Sequence, residues 1–586
     1  METKEYIVIL EKGVNYNEIW VDIETPTSGL PDIPDRPVSI INNHDAFDRM
    51  CAYALTDAEA EQIKNDPRVA GVEIPIEQMP GVEINRFTVQ DPSTYTPPGN
   101  FTKPTTSSSA GTGINWGLIR NSNPTNVYGT ATTTALNYTY SLDGTGVDVV
   151  ISDSGIQADH PEFQYTGNTT SRVQQINWAS YVPALSTMGN CYQDANGHGT
   201  HVAGTVTGKT YGWAKGSQIY SILAYGTGAP TVLNQFSAIK LWHQSKGATG
   251  RPTVVNMSWG SFYSWYFLGN LPSTTSPTYA NIVLAMDNFL STVTSVTWQG
   301  NTYAGNANVT SRGLLLDITD ANCVNSFYAG TPYHTLQTDV ALADLIDSGV
   351  VVVNAAGNSY YKIDVPGGID YNNYVTTTLY GGANLTYQRG SSPSTANAIC
   401  VGALNSVSYS STQDQKTAFS NTGPGVDVYS AGNCIMSCTT SNASATLYAS
   451  SSPYFLNNSY RQLNINGTSM ASPQIAGLAA LYLQSHPPAN NLSSTNCTQV
   501  KSWVTSSATS TMYSPGNATT YTNFTSTLGG NAIIAYQPIQ GLTQIKNSAG
   551  QWKPVQNIQV KTVTNTWTTV NKVWTKVDAT TWKQVY

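Results

Sequence analysis

The stretch Asn466-Gly-Thr-Ser-Met-Ala-Ser-Pro473, followed by the mostly small and apolar residues 474–483, decides how this sequence is interpreted. Residues of this kind fill a buried helix, and Pro473 falls in a first turn, where a missing N–H is tolerated. The pattern predicts that Ser469 lies at the N-terminal end of that helix, where backbone N–H groups favour developing negative charge. A nucleophilic serine suits this position; the alternative is a serine that only caps the helix.

Two further blocks supply partners for such a serine. Residues 144–153 form a glycine turn, a β-branched run and then Asp153, as expected of a buried parallel strand with an acid at its carboxyl end. Residues 196–205 place His198 at the start of a second helix of small residues, whose glycines permit close approach. An acid that orients, an imidazole that moves a proton and a hydroxyl that attacks are the three roles of a catalytic triad.

These three blocks, in the order Asp, His, Ser, resemble the subtilisin-like serine proteases of the peptidase S8 family, which carry this triad in the same order. The resemblance implies a three-layer α/β fold with a mainly parallel central sheet. It also implies a serine endopeptidase in which Asp153 orients, His198 is the general base and Ser469 the nucleophile that forms an acyl-enzyme. Residues 350–358 make a fourth block, in which Asn358 would donate to the oxyanion beside the Ser469 N–H.

The resemblance extends to the binding of a polypeptide substrate. Two short segments, each at the end of a strand, would form the walls of the primary specificity pocket, and a third would pair with the substrate backbone. The residues expected to bind substrate are Ser258, Trp259, Gly260, Ala355, Ala356, Gly357, Tyr225 and Gly226. Trp259 stands where the family usually has a smaller residue, so no side-chain preference is predicted.

Length and composition set the outer limits. The 586 residues exceed what one core supports, so several domains are expected. The net charge of −8 gives no basic excess, which argues against a nucleic-acid partner, and no apolar run is long enough for a membrane span. The expected parts are residues 1–89, a small α+β domain; 90–113, a linker; 114–536, the protease domain; and 537–586, a β-rich repeat tail.

The N-terminal part reads as a strand over residues 5–10, a helix with a Thr56–Glu59 capping box and a second strand within 66–74. This pattern is similar to the inhibitory propeptide domain of many subtilisin-like proteases, which implies that the chain's own N-terminal domain is an intramolecular inhibitor. An unrelated small α/β domain is the alternative. The linker is rich in Pro, Ser, Thr and Gly, and a processing cut is expected within it.

An insertion over residues 262–335 is far longer than compact relatives of this family carry at that point. A helical pattern over 338–346 then leads into the Asn358 strand. A loop of this length carries structure or function of its own. A lid over the cleft and a docking element for a neighbouring subunit remain equal alternatives.

The tail contains an internal repeat, in which Trp552, Trp567 and Trp582 recur every fifteen residues. Alternating Trp, Val and Thr or Lys predicts short antiparallel strands. Such tails resemble those of structural proteins of tailed bacteriophages, which implies a virion protein made in the host cytoplasm, with other virion subunits as partners. Alternatives are an oligomerisation or cell-wall-binding appendage, and an intracellular protease of the bacterial cytoplasm.

The remaining expectations concern cofactors and activity. No cofactor is required and no Cys/His grouping has metal spacing, whereas structural calcium, common in the family, has no located site. A Cys434–Cys438 disulfide is an open possibility, although the first ten residues do not form a secretion signal. The alternative to an active endopeptidase is a catalytically silent or self-inhibited structural or adhesion component of a phage particle.

Overall fold

The computed structural model describes most of the chain. The described residues are 3–25, 36, 38–42, 47–79, 82–86, 90–93, 115–130, 138, 140, 142–165, 168–264, 279–306, 330–379, 384–513, 527–536 and six short strands between 544 and 584. None of the helices described there has the length and apolar character needed to cross a membrane.

The N-terminal unit is a four-stranded antiparallel sheet with two helices. Its elements are β1 (Lys4–Leu10), α1 (Tyr16–Glu24), β2 (Ser39–Asn42), β3 (Met50–Leu55), α2 (Asp57–Lys64) and β4 (Val69–Glu73), with the strand order β2-β3-β1-β4. The predicted capping box is present, because Thr56 Oγ1 accepts a bond from the Glu59 N–H and the Glu59 carboxylate accepts one from the Thr56 N–H. The local sequence signal therefore fixes where α2 begins.

The elements that follow build the larger part of the molecule. They are β5 (Val82–Arg86), β6 (Gln90–Ser93), α3 (Gly117–Arg120), β7 (Asp148–Asp153), α4 (His198–Thr207), β8 (Gln218–Leu223), α5 (Val232–Ser245), β9 (Thr253–Met257), β10 (Trp259–Ser264), α6 (Tyr279–Thr292), β11 (Val293–Trp298), β12 (Asn301–Ala304), β13 (Gly330–Pro332), α7 (Leu336–Asp347), β14 (Val351–Ala355), β15 (Tyr374–Thr377), β16 (Asn384–Thr386), β17 (Ile399–Leu404), β18 (Val428–Ala431), β19 (Ile435–Thr439), β20 (Ser452–Tyr454), β21 (Asn457–Asn466), α8 (Thr468–Ser485) and α9 (Asn496–Ser507).

The central sheet has six parallel strands in the order β18-β17-β14-β9-β7-β8, so the predicted α/β fold with a mainly parallel sheet is confirmed. Its inner strands are buried along their whole length and have Val-rich centres, as expected of strands covered on both faces. Helix α8 packs across β9, β14, β17 and β18 and also contacts α4. The carboxyl ends of β7, β9 and β14 therefore meet the N-termini of α4 and α8 at one edge of the sheet.

The predicted insertion builds a small lobe. Strands β11 and β12 pair with β15 and β16 in the order β12-β11-β15-β16, and the lobe has its own apolar core, which includes Phe289, Val296 and Tyr387. The insertion also returns as β13, which pairs with β10. The described part of the insertion therefore braces β10 and recruits residues 374–386, which the sequence analysis had not connected with it.

The C-terminal repeat consists of three antiparallel hairpins spaced by fifteen residues, as the periodicity predicts. Their strands are β22 (Gln544–Lys546), β23 (Trp552–Pro554), β24 (Gln559–Lys561), β25 (Trp567–Thr569), β26 (Trp574–Lys576) and β27 (Trp582–Gln584). Of the predicted linker, residues 90–93 form β6, which pairs with β21, and 94–113 lie outside the described residues.

The possible disulfide between Cys434 and Cys438 does not form. Both side chains are buried thiols, and Cys438 lies within β19 while Cys434 immediately precedes it. Four residues of extended strand span roughly 13 Å, about twice the largest Cα separation that a disulfide bridges. The short spacing in sequence is therefore misleading, because the intervening backbone is extended.

Candidate active site

Asp153 and His198 form a buried pair at the carboxyl end of β7. His198 Nδ1 lies 2.8 Å from Asp153 Oδ1, both side chains are fully buried, and the Ser154 N–H donates to the same carboxylate oxygen. The helix reaches the strand because residue 199 is glycine: a Cβ there would lie 2.1 Å from the Gly155 carbonyl oxygen. The acid thus fixes the orientation and tautomer of the imidazole, as a triad requires.

Asp194 holds the segment that carries His198, a role that the sequence analysis missed. Its buried carboxylate accepts bonds from the Ser154 hydroxyl, the Gly197 N–H and both the N–H and hydroxyl of Thr200. Burial raises the pKa of Asp194, while these donors oppose the rise. Asp194 is a positioning residue, since it ties the loop after β7 to the first turn of α4.

Ser469 lies in the first turn of α8, as predicted, and is almost fully buried. Its hydroxyl donates to the Ser258 carbonyl oxygen at 3.2 Å. His198 Nε2 is buried and has no hydrogen-bond partner among the described residues. The structure therefore joins the acid to the imidazole, but the Ser469 hydroxyl must rotate before it can bond to His198. Catalytic hydrogen bonds are often incomplete before the substrate binds.

Asn358 stands beside the nucleophile with its amide orientation fixed. Its Oδ1 accepts bonds from the backbone N–H and the hydroxyl of Thr468, each at 2.8 Å. Because a backbone N–H can only donate, Nδ2 is the end of the amide that faces Gly467, where an added Cβ would lie 3.3 Å from it. A donor next to the Ser469 N–H suits the stabilisation of an oxyanion.

The side chain of Tyr225 makes a contact that the sequence did not predict. Its hydroxyl donates to Asp153 Oδ1 at 2.8 Å and lies 3.1 Å from His198 Nδ1, and the residue is buried. The adjacent Gly226 is exposed and has a φ of 94°. Tyr225 is therefore a third hydrogen-bonding partner of the Asp153–His198 pair through its side chain, in addition to the backbone pairing with substrate that the sequence predicts for this segment.

The two predicted pocket walls follow the neighbouring parallel strands β9 and β14. A third segment, residues 391–392, which the sequence analysis did not include, contacts both. The Ser392 hydroxyl donates to the Ala355 carbonyl oxygen, and the Ser391 carbonyl accepts from Ser261. A Cβ on Gly260 would lie 2.7 Å from Ser391 Oγ. Glycine is thus required where this segment meets the wall.

The other wall residues are buried and well anchored. Ser258 Oγ lies within hydrogen-bond distance of Asn256 Nδ2, the Ser469 carbonyl and Ser472 Oγ. The remaining predicted wall residues, Ala355, Ala356 and Gly357, are buried at the end of β14. The two walls are therefore continuous with the strands that carry them.

Trp259 points away from the pocket that its neighbours line. Its indole is fully buried, its Nε1 donates to Ser152 Oγ at 3.2 Å, and its ring lies 6.5 Å from that of Phe236 on α5. Successive side chains of a strand point to opposite faces, so the position of Gly260 on β10 faces away from the core that holds Trp259. The large residue at this position therefore does not narrow the pocket.

The cleft contains a segment of the same chain. Strand β5 pairs antiparallel with β10, in a register that ends at Arg86 opposite Trp259. Strand β6 pairs with β21, with Gln90 opposite Asn466, three residues before the nucleophile. The backbone therefore lies on one side of Ser469 up to residue 86 and on the other side from residue 90.

The other described histidines that are buried have structural partners. His201 Nε2 donates to the carbonyl oxygens of Ile435 and Leu463, and burial lowers its pKa to about 3. Burial also lowers the pKa of His160 and of His243 to about 4. A neutral imidazole that donates to backbone carbonyls braces the fold, so these three histidines have structural roles.

The fold and this arrangement of acid, imidazole and hydroxyl define a subtilisin-like serine hydrolase. The Subtilase family (Peptidase_S8) model matches residues 144–529, about two thirds of the chain. The chain belongs to the subtilase family and is a subtilisin-like serine endopeptidase.

Several known proteins are similar to this chain. It is 26% identical over 441 residues to the extracellular serine proteinase of Thermus sp. (strain Rt41A), covering 75% of this chain and 68% of that one. It is 28% identical over 352 residues to alkaline protease 1 of Aspergillus clavatus, covering 59% and 54%. It is 26% identical over 375 residues to proteinase R of Parengyodontium album, covering 64% of this chain and 60% of that one. The chain thus spans about half to two thirds of the length of these relatives.

Among solved structures, the fold is similar to that of fervidolysin from Fervidobacterium pennivorans, described as a keratinolytic enzyme related to subtilisin. The TM-score is 0.50 at 16% identity, over 93% of this chain and 62% of that one. At this level of identity the similarity concerns the fold alone.

Replacing Tyr225 by Phe tests its contact with the acid. We expect kcat/KM to fall about three- to tenfold, because Asp153 loses one hydrogen-bond donor. A carboxylate with one donor fewer attracts the imidazolium more strongly, so the acid limb of the kcat/KM profile should move to higher pH. Tyr220→Phe, which removes a hydroxyl bonded to Gln218, is the control. An unchanged pH profile in Tyr225→Phe would contradict the assignment.

Proposed function

We propose that the protein hydrolyses internal peptide bonds through an acyl-enzyme formed on Ser469. The observation that carries this proposal is the buried 2.8 Å contact between Asp153 and His198 at the sheet edge where Ser469 begins its helix. Family membership gives the same class of reaction.

The reaction begins when the Ser469 hydroxyl leaves the Ser258 carbonyl and rotates toward His198 Nε2. His198 then accepts the proton as Oγ attacks the substrate carbonyl, while Asp153 stabilises the imidazolium that forms. The Asn358 amide and the Ser469 N–H donate to the oxyanion. His198 next protonates the leaving amine, and water repeats the sequence on the acyl-enzyme.

The N-terminal unit is, in this proposal, the intramolecular inhibitor and the first substrate. The pairing of β5 with β10 and of β6 with β21 supports it, because these two strands place the chain on either side of the nucleophile. The bond to be cut then lies between Arg86 and Gln90. Of the four bonds between these two residues, we take Phe87–Thr88, the second, as the position to be tested. This position differs from the cut expected within residues 90–113.

Contacts of the N-terminal unit with two helix N-termini also support the inhibitor role. The Glu73 carboxylate accepts bonds from the N–H groups of Leu336 and Gln337 at the start of α7. The Glu77 carboxylate accepts one from the N–H of Val232 at the start of α5. A carboxylate at a helix N-terminus satisfies otherwise unpaired donors and complements the helix dipole. Two such contacts fix the orientation in which β5 enters the cleft.

The second candidate is a self-inhibited or catalytically silent structural component of a particle. The observation in its favour is the occupied cleft, together with a Ser469 hydroxyl directed at Ser258 rather than at His198. The intact Asp153–His198 pair favours the enzyme.

Active-site labelling and mass spectrometry separate these two functions. The wild-type chain should release its N-terminal unit, give a new N-terminus at Thr88 and react with a fluorophosphonate at Ser469. Ser469→Ala should stay at 62.9 kDa and remain unlabelled, whereas Ser472→Ala, a control on the same helix, should process and label. If wild type and Ser469→Ala label alike, the enzyme assignment is wrong; a wild-type chain that labels but starts elsewhere contradicts only the cleavage position.

The proposal places the enzyme on a virion, with other virion subunits as partners of the tail. Three hairpins at a fifteen-residue period support this location, since repeated short β units are suited to assembly rather than to catalysis. The phage-like character of these Trp-containing repeats in the sequence points the same way. The bacterial cytoplasm remains the alternative location.

Sedimentation tests the location. The full chain should co-sediment with purified particles, and a variant lacking residues 537–586 should remain in the supernatant while still processing itself. Ser469→Ala should sediment like wild type, because attachment needs no activity. Full-length protein that stays in the supernatant would support the cytoplasmic alternative.

No cofactor is required in this proposal. In the loop after α4, the ammonium group of Lys215 supplies a positive charge from the chain itself. Its fully buried ammonium lies 2.6–3.5 Å from the carbonyl oxygens of Gly208, Lys209, Thr210 and Gly212. Burial lowers its pKa to about 8, so the group is still charged at neutral pH. Within the described ranges, no three His, Cys, Asp or Glu side chains are placed to hold a metal ion.

Replacing Lys215 by Met should lower the free energy of unfolding by about 2–3 kcal/mol, because four carbonyls, two of them in buried contacts, lose their donor. Lys209→Met, in the same loop, should stay within about 0.5 kcal/mol of wild type. Urea unfolding with and without EDTA is the measurement. A wild-type protein that loses stability in EDTA would show that a metal ion contributes after all.

A further inference from the structure

We propose that Asn421 is a positioning residue for the reaction, because its side chain fixes the loop that presents the Asn358 amide to the oxyanion. A chain without this side chain should lose turnover rather than affinity for substrate. This inference rests on the proposed role of Asn358 as an oxyanion donor, and it assigns Asn421 an effect that passes through Asn358.

The Asn421 side chain bonds to the backbone on both sides of Asn358, and the residue is fully buried. Its Oδ1 accepts bonds from the N–H groups of Ser359 and Tyr361, at 3.1 and 2.9 Å. Its Nδ2 donates to the Ala356 carbonyl oxygen at 2.8 Å. Because a backbone N–H can only donate, the orientation of this amide is fixed. One side chain thus holds the loop from two residues before Asn358 to three residues after it.

The backbone conformation of the loop needs such support. Tyr360 has a φ of 55°, in the left-handed region that few residues other than glycine adopt. A backbone of this kind persists only where the surrounding structure holds it. The Oδ1 of Asn421 binds the N–H groups immediately before and after Tyr360, and the Tyr360 N–H donates to the Phe419 carbonyl. Removal of the Asn421 amide would therefore let this turn relax, two residues from Asn358.

Asn421 is itself held in place by its neighbours. Its own N–H donates to the Gly357 carbonyl oxygen at 2.8 Å. The Ser420 hydroxyl donates to the Asn421 carbonyl and accepts a bond from the N–H of Ala403 in β17. The Nζ of buried Lys416 donates to the Ser420 carbonyl at 3.0 Å. Asn421 is therefore a fixed link between the central sheet and the loop that carries the oxyanion donor.

The position of an oxyanion donor affects kcat more than KM, because the oxyanion develops only as the reaction proceeds. A misplacement of about 1 Å costs up to about a hundredfold in rate, and removal of such a donor costs about a hundred- to a thousandfold. The two bonds from Thr468 to the Oδ1 of Asn358 remain when Asn421 is replaced. Loss of the Asn421 side chain should therefore cost less than loss of the Asn358 amide.

Replacing Asn421 by Ala tests the proposal through the separation of kcat from KM. We expect kcat to fall about ten- to thirtyfold while KM stays within about twofold of wild type. The substrate is a quenched fluorescent peptide with the sequence of residues 82–93, and each chain is assayed after it has released its N-terminal unit. A rise in KM at unchanged kcat would mean that Asn421 shapes only the pocket wall, and it would overturn the proposal.

Asn496→Ala is the matched control. The Nδ2 of Asn496 lies 3.0–3.4 Å from the carbonyl oxygens of Gly349, Asn490 and Asn491, and Gly349 precedes β14, at the end opposite to the oxyanion loop. This buried amide also holds backbone through several bonds, so the substitution should lower stability in urea and leave kcat unchanged. An equal fall in kcat in the two variants would reflect lost stability alone and would refute the positioning role.

A double-substitution cycle shows whether Asn421 acts through Asn358. In the Asn358→Ala background, Asn421→Ala should reduce kcat by less than about twofold, because the group that it positions is already absent. The full ten- to thirtyfold loss in that background would overturn the proposal. Wild-type kcat in Asn358→Ala alone would instead contradict the proposed mechanism, so the two failures can be told apart.

Asn421→Asp keeps the shape of the side chain and makes its donor depend on pH. The carboxylate cannot donate to the Ala356 carbonyl, whereas the protonated acid has one acceptor and one donor, as the bonds of the amide require. Burial raises the pKa of such a carboxyl group, so the ratio of kcat in Asn421→Asp to kcat in wild type should rise toward one as the pH falls from 9 to 6. A ratio that stays constant over this range would overturn the proposal.

Discussion

The close packing of α4 against β7 is the constraint on which the site depends. Helix and strand approach until Gly199 meets the Gly155 carbonyl, and only this distance lets the first side chain of α4 reach the last side chain of β7. Small residues continue along α4: a Cβ on Gly204 would lie 2.3 Å from Ser437 Oγ on β19. The same helix therefore fixes the distance from the central sheet to the sheet that contains β21. The glycines of α4 thus set both the distance between Asp153 and His198 and the position of the sheet that contains β21.

The sequence predicted the parts of the site that local patterns determine. Asp153, His198, Ser469 and Asn358 each lie at the end of a strand or the start of a helix, and the parallel sheet brings such ends together. The contacts that the sequence could not predict depend on the paths that loops take between strands and helices. The phenol of Tyr225 crosses to β7 because of how its loop leaves β8, and Asp194 matters through contacts with Ser154 and α4.

The same limits apply to the pocket and the inserted lobe. Strand alternation explains why the Trp259 side chain faces the core. The sequence alone does not tell which face of the strand is buried, because that depends on how the strand pairs with its neighbours. The lobe combines two segments that the Asn358 strand separates in sequence, and no local signal joins Val296 to Val375. The lobe also supplies β13, which makes β10 an interior strand whenever a polypeptide lies on its other edge.

The buried thiols have a consequence for how the molecule can be handled. Six cysteines in the described part of the chain are buried and unbridged. Burial raises the pKa of Cys51 and of Cys497 to about 11 and that of Cys191 to about 12, so hardly any thiolate is present at neutral pH. Alkylating agents and mild oxidants react through the thiolate, so these sulfurs stay inert while the core is closed. The rate at which these thiols are alkylated therefore reports how often the core opens, without an introduced probe.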